Sequence, residues 1–237
     1  MKLSETIKKA ALAHAKEEFP KESVGIVHVV KGRSRYFPCK NIADHPEEHF
    51  VLDSSDYIAA EEKGEITAII HSHPKENQNP SLADQVACEK SKVPWFVVNP
   101  QTELWGECEP VGMELPYVGR KFSHGLIDCF SLCRDWYKKE KGLDLTDYER
   151  KDDWWHKGEN LYLDNFKKEG FYEISQDELE YGDAILMCIE SPVPNHAAIF
   201  LGDQLILHHV QGRLSSRDVY GGYYYKATAA CLRHEDN

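Results

Sequence analysis

No stretch of this sequence approaches the roughly 18–20 consecutive apolar residues that a membrane-crossing helix needs, and Met1 to Lys9 holds no apolar core of signal-peptide length. The chain is therefore expected to have no membrane span and to be made and folded in a cytosol. Cys-x-x-Cys is absent, and the 7 cysteines are odd in number and irregularly spaced, which argues against a disulfide framework and against a cysteine zinc finger. Basic runs with interleaved aromatics are missing too. With 28 Lys and Arg against 40 Asp and Glu, the formal net charge of −12 repels phosphate backbones and anionic membranes, so no nucleic acid is expected as a partner. Neither an internal repeat nor a low-complexity tract is present.

What is there suits two ordinary globular domains. Hydrophobic residues make up 41% and charged residues 29% of the chain, and its length allows two cores of roughly 110–120 residues each. Pro110, Gly112, Pro116 and Gly119 crowd one short stretch and mark a linker. The division is expected at 1–110 and 111–237.

In the first part Ser4 can cap a helix from Glu5 to Glu18, whose apolar stripe is Ile7, Ala10, Ala11 and Ala15. Ser23 to Val30 and Arg33 to Phe37, turning at Lys31-Gly32, read as a hairpin, and His49 to Leu52 as a further strand. A short helix capped by Ser54 or Ser55 runs to Glu62. Ile66 to Ile70 is a buried strand, Ser81 to Lys92 a helix, Trp95 to Val98 another strand, and Glu103 to Glu107 an edge. Strands interleaved with helices predict an α/β sandwich.

The end of the Ile66 strand carries His71-Ser72-His73-Pro74. Residues two apart on a strand share a face, about 6.6 Å apart along it, so two imidazoles can converge on one metal ion. Asp84, in the first turn of the following helix, can supply a third ligand. Ser81-x-x-Asp84 also reads as a plain helix start with Ser81 as N-cap. Taken together, His71-x-His73-Pro74, seven residues, Ser81-x-x-Asp84 and an upstream glutamate resemble the JAMM metallopeptidases. The resemblance implies one Zn²⁺ per chain held by His71, His73 and Asp84, Ser81 as hydrogen-bond donor to the tetrahedral intermediate, and Glu22, just before a strand, as general base.

The second part opens on Asp128-Cys129, followed by Phe130, Cys133, Trp136 and Tyr137 on one helical face. A thiol at a helix N-terminus is expected to have a lowered pKa. Asn195 to Leu201 and Gln204 to Val210 read as a hairpin around Gly202, with His196 on one arm and His208 and His209 on the other. Strand parity lets only one of the last two share a face with His196. These residues resemble the NlpC family of papain-related cysteine peptidases, through Asp128-Cys129, Gly182-Asp183, His196 to Gly202, and His208 twelve positions beyond His196. The resemblance implies a papain-like α+β domain with Cys129 as nucleophile, His196 as base, His208 as its orienting partner, and Tyr117 polarising the substrate carbonyl. Phe130 and Ser131 stand where that family has serine and glycine, which leaves subsite shape open.

A JAMM domain joined to an NlpC domain resembles a family of phage tail-tip assembly proteins, and Tyr117 to Phe122 resembles it as well. That likeness implies cleavage of peptidoglycan stem peptides by the second domain, association with other tail-tip proteins, and a place at the virion tail tip acting in the periplasm or cell wall. The other implied role is a mainly structural tail-tip component with latent sites.

Overall fold

In the computed structural model, which describes residues 2–236, the chain forms two units, one running to Met113 and the other starting at Glu114. In the first, α1 (Glu5–Glu18) starts where the Ser4 side chain accepts from the Ile7 N–H, and Ile7, Ala11 and Ala15 form its buried stripe. The strands are β1 (Val24–Val30), β2 (Arg33–Cys39), β3 (Glu65–Ser72), β4 (Trp95–Val98) and β5 (Trp105–Cys108), with α2 (Ser54–Glu61) before β3 and α3 (Leu82–Ser91) after it. They form a sheet ordered β2-β1-β3-β4-β5. β3 and β4 run parallel, which requires a crossover, and α3 supplies it.

Strand parity divides the core into two layers. Val27, Ala68, Ile70 and Phe96 pack under α1, whereas Ile26, Ile69 and Trp95 pack with Ala60 of α2 and Cys88 of α3. His71, two residues beyond Ile69, therefore falls on the face that α3 covers. The expected strand at His49 to Leu52 does not form; Leu52 makes a single bridge to Asn41. The Asn41 side chain takes the loop's backbone groups instead, donating to the Glu22, Pro46 and His49 carbonyls and accepting from the Ala43 and Val51 amides. Asp53, not Ser54 or Ser55, caps α2, its carboxylate accepting from the Ser55 N–H at 2.8 Å.

The second unit has α4 (Cys129–Trp136), α5 (Leu161–Asn165), β6 (Phe171–Ile174), β7 (Ala184–Met187), β8 (His196–Phe200), β9 (Leu205–His208), β10 (Ser216–Val219), α6 (Gly222–Ala227) and β11 (Thr228–His234). The strands form one antiparallel sheet ordered β10-β9-β8-β7-β11-β6. On one face Leu132, Cys133 and Trp136 of α4 pack with Leu186, Ala197, Ile199, Leu207 and Leu232. On the other, Ile185, Met187, Ala198, Ile206 and Tyr220 form a smaller core to which α6 adds Tyr224 and Ala227. Helix α4 widens into a π-type turn through Lys141 and stops at Gly142, whose φ of 72° favours glycine. The architecture is thus an α/β sandwich followed by an α+β unit, as the sequence predicts.

Candidate active sites

β3 delivers His71 to the open end of its sheet and His73 follows one residue past the strand, its N–H held by the Val98 carbonyl at 3.0 Å; both rings turn toward the first turn of α3. Their Nε2 atoms lie 3.1 Å apart. Asp84 faces both, Oδ1 at 3.1 Å from His71 Nε2 and Oδ2 at 3.3 Å from His73 Nε2. All three residues are buried. Four ligands at 2.0–2.1 Å from a tetrahedral Zn²⁺ stand roughly 3.3 Å from one another, and the two imidazole nitrogens, each with one Asp84 oxygen beside it, have spacings of that size. The donor set, two imidazole nitrogens and a carboxylate, suits zinc. His73 Nδ1 is 2.9 Å from the Asn77 carbonyl; donating there leaves its Nε2 lone pair pointing inward. His71 Nδ1 is buried with no hydrogen-bond partner among the described residues.

The helix-start reading of Ser81-x-x-Asp84 holds together with the ligand reading. Ser81 Oγ accepts from Asp84 N at 3.1 Å, and Asp84 Oδ2 accepts from Ser81 N at 2.7 Å. This capping box fixes the carboxylate that faces the histidines. Burial opposes ionisation of Asp84, but hydrogen bonds from His71 and His73 outweigh it and hold the carboxyl well below the usual range. Glu22 is held just before β1, its N–H donating to the Pro46 carbonyl and its own carbonyl accepting from Asn41. Burial, with the charges of Asp84 and Glu76 adding and His73 opposing, pushes its carboxyl up to about 7.

In the second unit Asp128 caps α4, Oδ1 accepting from Ser131 N at 2.9 Å while Ser131 Oγ accepts from Asp128 N at 2.8 Å. Its other oxygen takes the buried Arg150 guanidinium, Nε at 2.6 Å, and the Gly125 N–H at 2.9 Å. Cys129 follows as the first helical residue, with Sγ 3.4 Å from the Tyr162 hydroxyl and against β8, where the Ala197 N–H favours the thiolate. Burial and the neighbouring Asp128 charge nevertheless push the thiol up to about 11. The lowered pKa expected from the helix N-terminus is therefore overturned: a helix end is worth about 2 kcal/mol at most, less than desolvation of this buried sulfur. Cys133, deeper in the helix, is raised further by burial.

His196, immediately before Ala197, has Nε2 3.1 Å from His208 Nδ1. The hairpin pairs Ala198 with His208, so the two histidines are diagonal neighbours rather than directly opposite. A turn centred on Gly202 would pair 196 with 208; the observed register differs from that by two residues, which preserves the shared face. His209 turns the other way and packs edge-on to Phe122, with ring centroids 5.0 Å apart.

Two family models divide the chain. One of prokaryotic homologs of the JAB domain matches residues 4–107, and one of the NlpC/P60 family matches residues 117–233. Tail tip assembly protein K of Escherichia phage N15 is 38% identical over 232 residues, covering 96% of this chain and 93% of that protein. This chain belongs to the tail tip assembly protein K family. The family member from Escherichia phage lambda is 39% identical over 183 residues, covering 77% of this chain and 89% of its own. Among solved structures, an NLP/P60-family protein similar to a lipoprotein from Staphylococcus aureus is 20% identical, covers 50% of this chain and 37% of its own, and has a TM-score of 0.37.

In this member of the tail tip assembly protein K family, the structure brings His71, His73 and Asp84 together with Ser81 beside them, and joins His196 to His208. It does not bring the Tyr117 hydroxyl to Cys129. That hydroxyl donates to Glu140 at 3.0 Å, near the end of the α4 extension, and Tyr162 faces the thiol instead. Tyr162 has no motif around it; only the packing of α5 against α4 reveals it. Gly182-Asp183 proves to be structural, since both Asp183 oxygens accept from Arg233, at 3.0 and 2.8 Å.

Proposed function

We propose that the chain is a two-site peptidase of the phage tail tip, in which Cys129 and His196 cleave peptidoglycan stem peptides and the His71–His73–Asp84 cluster holds zinc for hydrolysis of a second peptide or isopeptide bond. The observation that carries the cysteine site is the seating of the Cys129 thiol against the Ala197 N–H of β8, the residue next to His196, whose Nε2 is occupied by His208. Burial drives His196 down to about 3, with the neighbouring His208 and His209 adding, so the imidazole is neutral at pH 7 and able to accept a proton. With the thiol protonated at rest, His196 takes the Cys129 proton as sulfur attacks the substrate carbonyl and returns it to the leaving amine.

In the first unit, zinc when bound supplies Lewis acidity and acidifies a water. Glu22, its carboxyl raised by burial to about 7, would be the group that takes up a proton there and hands it to the leaving nitrogen. Because Ser81 Oγ accepts from Asp84 N, its hydroxyl hydrogen remains to stabilise the carbonyl oxygen as charge develops there.

Purified peptidoglycan incubated with the full chain tests the division of labour. Cys129→Ala and thiol alkylation should abolish stem-peptide cleavage, while a chelator should not. If Cys129→Ala digests as fast as the parent and chelator stops both, the roles of the two sites are reversed. The burial of Cys129, at 7% exposure, favours a second reading: an assembly component of the tail tip whose sites are latent until the structure opens. On that reading Cys129→Ala phage should build infectious tails, and the free chain should release no muropeptides.

A further inference from the structure

The hydrogen-bonded line that starts at His196 does not stop at His208. β10 pairs with β9 so that Ser216 faces His208, and Asp218, two residues on, shares that face. Its Oδ2 lies 3.1 Å from His208 Nε2. His196, His208 and Asp218 thus form a diagonal row across three neighbouring strands, each side chain handing on to the next.

We propose that Asp218 is a positioning residue of the cysteine site, fixing the tautomer of His208 and, through it, that of His196. This rests on the assignment of His196 as base. An ionised carboxylate can only accept, so His208 Nε2 must carry the hydrogen. A neutral imidazole has one N–H, so His208 Nδ1 is then an acceptor, and the hydrogen between the rings belongs to His196 Nε2. What remains on His196 is an Nδ1 lone pair, the group that can take a proton from Cys129.

The surroundings favour each step. The groups facing Asp218 and His208 are His196, Arg213 and Tyr224. Arg213 Nη1 is 3.3 Å from Asp218 Oδ2, and the Tyr224 hydroxyl donates to that oxygen at 3.4 Å. The Tyr224 ring also stands edge-on to His208, with centroids 4.8 Å apart, limiting how that imidazole can turn. Burial opposes ionisation of Asp218, but His208 and Arg213 hold its carboxyl below the usual value, while burial keeps His208 low and neutral. Without Asp218, either His208 nitrogen could carry the hydrogen, and in one of the two forms the His196 lone pair points at His208 rather than outward.

The test uses the full chain labelled with ¹⁵N-histidine, together with muropeptide hydrolysis. In the parent, His208 and His196 should each show a single Nε2–H tautomer at pH 7. Asp218→Ala should give mixed tautomers at His208 and lower kcat on the order of tenfold to a hundredfold, with KM within about twofold, and Asp218→Glu should recover part of the rate. If Asp218→Ala fails to fold, Asp218→Asn is read by the same two measurements with the same expectation. Unchanged tautomers with unchanged kcat in the folded variant overturn the proposal. Should the parent cleave no muropeptide, the reading of the site as a peptidoglycan hydrolase fails, yet the tautomers still decide the role of Asp218: mixed forms support it and parent-like spectra sink it.

Discussion

Cys129 is the residue at which local and tertiary effects oppose each other most directly. Its place in the chain supplies a helix N-terminus and an opposing carboxylate in Asp128, its place in the fold supplies burial, and burial with Asp128 outweighs the helix end. The thiol accordingly sits at about 11. Below that value each rise of one pH unit multiplies the thiolate fraction by about ten, so iodoacetamide labelling of Cys129 should be slow at pH 7 and accelerate about tenfold per unit up to pH 10. Peptide mapping after timed alkylation would follow it, with the less buried Cys188 labelling first. A rate already flat at pH 7 would mean a preformed thiolate and would place the resting proton on His196.

Among the elements, α4 depends most on what lies outside it. Its N-cap, Asp128, also neutralises the buried Arg150, whose other hydrogen bonds reach Asp147 and the Tyr148 and Gly125 carbonyls. Asp128→Asn retains a competent cap, since Asn and Asp rank together there, but removes the charge. The expected cost is about 3 kcal/mol, from leaving a buried guanidinium with only the part-exposed Asp147 as counter-charge, against about 1 kcal/mol for loss of a cap alone. Urea unfolding of Asp128→Asn and Asp128→Ala compares the two: a loss below about 1 kcal/mol in the Asn variant would show that Asp147 and the carbonyls already compensate Arg150. Helix α3 shows the reverse economy, because one capping box both starts the helix and aims the Asp84 carboxylate. That is why two readings of Ser81-x-x-Asp84, which compete in the sequence, coexist in the fold.

At the scale of the whole molecule the two sites belong to different cores, His71, His73 and Asp84 before Met113 and Cys129, His196 and His208 after Glu114. Fragments 1–113 and 114–237 should therefore each unfold cooperatively when expressed apart. Zinc should raise the thermal midpoint of the first and leave the second unchanged, because a ligand stabilises only the fold that binds it. His71→Ala and Asp84→Ala in the first fragment should abolish both the rise and stoichiometric metal on elemental analysis. Retention of one zinc by both variants would place the ion elsewhere. A second fragment that fails to unfold cooperatively would mean that its core needs residues before Glu114.

Sequence alone determined whatever depends on near neighbours and on period. The helix from Glu5, the strand that leads into His71 and His73, the capped start of α3, and the parity that lets only one of His208 and His209 share a face with His196 all follow from spacings of two or of 3.6 residues. It did not determine whatever depends on which distant groups meet. The His49 to Leu52 segment has strand composition, but the Asn41 side chain claims its backbone groups. Tyr117 is the residue that the NlpC resemblance puts near Cys129, yet its hydroxyl finds Glu140, while Tyr162, which no motif marks, faces the thiol. Asp218 joins His208 only because β10 lies against β9. The Cys129 proton follows the same rule: helix position is written in the local sequence, but desolvation is set by every chain segment that closes around the sulfur, and only the assembled fold fixes how much water is left there.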